Sequence, residues 1–166
     1  TIMDGVAVNL SYEPQSSGNS IDSGMGYAVT YTGIEGLTLA YSNSDEVGTT
    51  ADLSGDQTAW KVSYAYGPVT VSYQESEEDA TTAANSNDSE EFGISYAVSD
   101  DFSISYGQHE YNDGTDASTD NQESTGFSAS YTMGGMTLAG ASNEVKNMAG
   151  TATRDHEGYE FTLSFA

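Results

Sequence analysis

Apolar and small polar residues alternate along much of the chain. In Ile94–Gln108, ISYAVSDDFSISYGQ, two alternating runs flank a Ser-Asp-Asp turn. Alternation at period two predicts strands with one apolar and one polar face. The same unit recurs in Tyr27–Asn43, Trp60–Glu75 and Phe127–Asn143, each with a tight turn rich in Gly, Pro or Asp. Aligned on Tyr31, Tyr64, Tyr96 and Tyr131, the units repeat every 32 to 35 residues. Val6–Tyr12 and Tyr159–Ala166 add a strand at each end, so about ten are predicted. Each repeat is a plain hairpin, which favours an up-and-down antiparallel meander.

The connections alternate in length. Tight turns are expected at Gly33–Gly36, Gly67–Pro68, Ser99–Asp101 and Gly134–Gly135. Long polar loops are expected over Glu13–Gly24, Ser44–Gln57, Ser76–Glu90, His109–Ser124 and Glu144–Glu157. Short turns at one end and long loops at the other fit a transmembrane β-barrel.

The two faces of the strands decide between lipid and water. One carries Val, Ile, Leu, Phe and Tyr with almost no polar interruption. The other carries Asn9, Lys61, Ser63, Ser72, Ser95, Ser103, Ser105, Ser128, Ser130 and Glu160 among Ala, Gly and Thr. A soluble sheet normally covers its wet face with charge. Here that face is nearly bare, and these ten residues are candidate pore lining. Tyr31, Trp60, Tyr64, Phe92, Tyr96, Phe127, Tyr131 and Phe165 fall near the strand ends as two aromatic girdles. The expected fold is therefore an all-β, up-and-down antiparallel transmembrane barrel, with residues 1–166 as one domain.

Composition narrows the partners. The 166 residues carry a formal net charge of −23, with three Lys and Arg against 26 Asp and Glu and no Cys. Nucleic acid is excluded as an expected partner, because phosphate binding depends on Lys and Arg. No run of about eighteen apolar residues exists, so no transmembrane helix is expected, a test to which barrel strands are blind. The opening TIMDG has neither a basic start nor an apolar run, and a mature chain or a fragment is expected.

The serial hairpins, the acidic Gly/Asp/Ser loops and the closing EGYEFTLSFA resemble Gram-negative porins, most of all the α-proteobacterial general-diffusion type. The resemblance implies an outer-membrane channel for small hydrophilic solutes, in contact with lipid and lipopolysaccharide and assembled as a homotrimer. It also implies about sixteen strands, so this chain corresponds to the C-terminal part of such a barrel, the alternative being a closed barrel of about ten. A second functional reading is a non-conducting barrel serving as a surface structural protein, adhesin or phage receptor.

Lys61 is expected to point inward, either within a basic ladder or balancing a carboxylate such as Glu160. The acids Glu75, Glu77, Glu78, Asp79, Asp88, Glu90, Glu91, Asp113, Asp116 and Asp120 are expected in outer loops, where they would concentrate cations. No cofactor is expected. The acidic loops are weak candidates for Ca²⁺ or Mg²⁺, and DGTDASTD at Asp113–Asp120 does not match an EF-hand loop. His109 and His156 are expected in outer loops with no nucleophile placed beside them, so no enzyme is expected.

Overall fold

The computed structural model describes residues 3–15, 23–46, 55–80, 86–112, 114 and 120–165. Ten strands form one sheet in chain order. They are β1 (Val6–Glu13), β2 (Gly24–Tyr31), β3 (Leu37–Glu46), β4 (Gly55–Tyr66), β5 (Val69–Ala80), β6 (Asn87–Ala97), β7 (Phe102–Asn112), β8 (Gln122–Met133), β9 (Met136–Lys146) and β10 (His156–Phe165). Every neighbouring pair is antiparallel. One 3-10 turn at Met148–Gly150 precedes β10. Among the described residues no helix is long and apolar enough to cross a membrane.

The tight turns follow from their residues. Gly134 and Gly135 both have positive φ, 56° and 83°, as a two-residue turn matched to strand twist requires. Gly67 has φ 56° ahead of Pro68. In the Val98–Asp101 connection, the Ser99 hydroxyl accepts hydrogen bonds from the Asp101 and Phe102 amides at 3.3 and 3.1 Å. One backbone bond recurs at successive turns. The amides of Thr32, Ala65, Ala97 and Thr132 donate to the carbonyls of Gly5, Gly36, Pro68 and Asp101 at 2.7 to 2.8 Å.

That repetition fixes the stagger of the sheet. Tyr31 stands opposite Leu39, and Leu39 opposite Val62, two residues short of Tyr64. Tyr64 leads through Val71 to Ile94, two short of Tyr96. Tyr96 leads through Ile104 to Ala129, two short of Tyr131. Each hairpin thus slips two residues toward its turn. With a rise of about 3.3 Å per residue and strands about 4.8 Å apart, that slip is a tilt of about 35°.

Among the described residues none is buried. The accessible surface is 11010 Å², where a compact monomer of this mass exposes about 7,900 Å². The sheet is a single layer with no core between layers. Its apolar face can be removed from water only by something outside it.

Several strands run beyond their predicted ends. Glu75, Glu77, Glu78 and Asp79 belong to β5, and Asp88, Glu90 and Glu91 to β6, not to loops. His109 lies in β7 and His156 in β10, correcting their expected placement in loops. Hydrophobic alternation stops there, but backbone pairing continues, because ladder hydrogen bonds do not depend on side-chain polarity. Asp113 and Asp116 lie outside the described residues.

Candidate functional site

Register sorts the side chains into two faces. One face is built from rows of small residues. Asn9 shares a row with Ala28, Ser42, Ala59, Ser76 and Ser89. Ser63 and Ser72 continue into Gly93, Gly107 and Gly126. Ser95, Ser105 and Ser128 lead through Ala141 to Glu160. Ser103 and Ser130 pair with each other between Ala97 and Ala139. Hydroxyls bridge strands across this face, Ser105 to Ser128 and Ser76 to Ser89, each at 2.8 Å.

All ten candidate lining residues share this face. The girdle residues Tyr31, Trp60, Tyr64, Phe92, Tyr96, Phe127, Tyr131 and Phe165 sit on the other. Their rings meet neighbours there, Trp60 with Tyr73 at 5.1 Å and Tyr131 with Phe102 at 6.4 Å between centroids. Because the strands tilt, a register row crosses the apolar band diagonally. Tyr64 and Phe127 therefore share one row, through Val71, Ile94 and Tyr106, although they belong to opposite girdles.

Lys61, Glu91 and both histidines share one row of the small-residue face. Lys61 stands opposite Gln74, Gln74 opposite Glu91, and Glu91 opposite His109. The row continues through Ser124 and Val145 to His156. Both histidines of the chain thus lie on it. His109 Nε2 lies 4.0 Å from Glu91 Oε1, and its ring stacks on Tyr111 at 6.4 Å. Immediately turnward is the row containing Gly93, Gly107 and Gly126. Those glycines leave a hollow of about 510 Å³ that Lys61, Gln74, Glu91 and His109 line, with Asn143 reaching it from β9. Further hollows at Ala28, Thr30 and Ala40, and at Ser42, Gln57 and Ser76, open mainly on the same face.

Glu160 is not the partner of Lys61 in this sheet. It belongs to β10, six strands away, in a row nearer the tight turns. Glu91 and His109 instead share the lysine's hollow. The usable signal in the sequence was parity: both continue the phase of Gly93 and Gly107 past the last apolar residue of their strands.

The apolar face has its own charged margin. Glu75, Glu90, Glu110 and Glu123 stand directly opposite one another on four adjacent strands, ending at Lys146. Lys146 Nζ lies 3.8 Å from Glu144. Among the described residues no group of three or more acids or histidines is placed to hold a metal ion.

A Gram-negative porin family model matches residues 2–148 of the chain. No curated protein and no solved structure matches it.

Proposed function

The chain belongs to the Gram-negative porin family and is an outer-membrane channel protein, and from that premise we propose that it passes small hydrophilic solutes by passive diffusion, with preference for cations, and catalyses no reaction. One observation carries the reading. A single-layer sheet with no buried residue among those described presents a continuous apolar face on one side and a Ser, Thr, Gly and Ala face on the other. Turned toward lipid, the first is removed from water. The second becomes the wall of an aqueous lumen.

Small lining residues leave the lumen open, whereas a non-conducting barrel of few strands fills its interior with larger side chains. Cation preference is supported by the net charge of −23 and by Glu78 and Glu91, the carboxylates of β5 and β6 whose register places them on the small-residue face. A negative wall raises the local concentration of cations and repels anions. Passage needs no cofactor. Contact with lipopolysaccharide and assembly as a homotrimer belong to the same proposal, supported by family membership.

Planar-bilayer recording tests it. The purified protein should give discrete conductance steps in KCl, and a salt gradient should give a reversal potential of cation-selective sign. Absence of steps, or anion selectivity, would refute the proposal.

A further inference from the structure

We propose that Glu91 on β6 sets the charge selectivity of the channel wall, with Lys61 as its fixed counter-charge and His109 as its proton-controlled partner. The inference rests on the channel reading and assigns residues to its selectivity.

The argument is one of position. Over most of the small-residue face, wall groups are neutral and short. At the row Lys61–Gln74–Glu91–His109, long polar side chains, three of them charged or ionisable, come from neighbouring strands. The adjacent glycine row withdraws the wall beneath them, so they border a hollow of about 510 Å³ instead of packing on neighbours. Side chains that border a hollow meet the passing solute. Glu91 keeps half its side-chain surface exposed, at 51%.

The surroundings of His109 are simple. Of the side chains facing it from the two flanking strands, Glu91 on β6 carries charge, while Ser124 on β8 is neutral. Its row-to-row neighbours are Ser89 and Gly93 on β6, and Gln122 and Gly126 on β8, all neutral. On β7 itself it is flanked by Gly107 and the stacked Tyr111. Lys61 reaches the same hollow from β4, while Glu144 of β9 stands in the row of Phe92 on the opposite face. Histidine is the side chain whose charge changes within the physiological pH range. Neutral His109 leaves the Glu91 carboxylate free to attract a cation. Protonated His109, 4.0 Å away, offsets that carboxylate and leaves the positive charge of Lys61 uncompensated. Cation preference should therefore fall as pH drops from 8 to 5.5.

Reversal potentials of the whole chain in bilayers, in a KCl gradient at pH 8 and 5.5, test this. The wild-type cation-to-anion permeability ratio should fall by roughly two-fold or more across that window. Glu91→Gln should lower the ratio at pH 8 and leave a pH step that starts from that lower value, because His109 still gains its charge beside Lys61. His109→Gln should make the ratio flat, and His109→Lys should hold it at the low value at both pH values. Conductance steps in each variant report that the barrel has folded. A conducting wild type without a pH step overturns the assignment and leaves the channel reading standing, as does His109→Gln titrating like wild type. A wild type without conductance overturns both.

Discussion

Ile94 and Ser95 are neighbours in sequence and face different solvents. Ile94 is 38% exposed and stands in register with Val71 and Tyr106 on the apolar face. Ser95 stands between Thr70 and Ser105 on the other. A charge turned toward hydrocarbon near mid-membrane costs about 2–4 kcal/mol, while the same charge on the lumen wall changes selectivity. Ile94→Arg should therefore destabilise the folded protein by that amount in denaturant titrations in lipid. Ser95→Arg should fold with nearly wild-type stability and shift the reversal potential toward anions. Equal destabilisation by both would mean that the faces do not meet different solvents.

At the scale of strands, the row Glu75–Glu90–Glu110–Glu123 runs against the usual logic of pairing. Like charges directly opposite destabilise a sheet, by the same few tenths to about 1 kcal/mol that favourable pairs contribute. Glu90 has glutamates on both sides in register. Glu90→Gln should raise stability by about 0.2–1 kcal/mol at low salt, and the gain should shrink as salt screens the repulsion. A loss of stability would show that the row is held by something other than strand pairing. This ladder also marks where the sequence stopped being legible. Alternation located all ten strands, their order and their two faces, because lipid on one side and water on the other impose period two. Beyond the girdles both faces meet polar surroundings and the period vanishes. Glu90, Glu91 and His109 then read as loop although the ladder continues through them. The convergence of Lys61, Glu91 and His109 was hidden for another reason. It depends on the two-residue slip per hairpin, a property of register that no single strand reveals.

For the whole molecule, the same slip determines how the sheet can close. In the described residues β1 pairs only with β2 and β10 only with β9, so each leaves one edge free. Leu10 and Phe161 on these strands are each 81% exposed. Hydrocarbon does not tolerate unpaired backbone groups, so both edges must be paired once the protein is in the membrane. Ring closure either joins β10 to β1 or brings further strands between them. At a tilt of about 35°, ten strands would close at a diameter of about 19 Å and sixteen at about 30 Å. Either ring leaves space inside a wall of Ser, Gly and Ala. Closure of either kind predicts slow amide exchange along β1 and β10 in the lipid-inserted protein, including the amides that point away from β2 and β9. Their protection should match that of β5, which is paired on both sides. It also predicts that unheated and boiled samples migrate apart on a denaturing gel, because a closed ring has no edge at which to open. Fast exchange confined to the outward amides of β1 and β10, with a single heat-independent band, would mean that the sheet stays open and does not span the membrane as a channel.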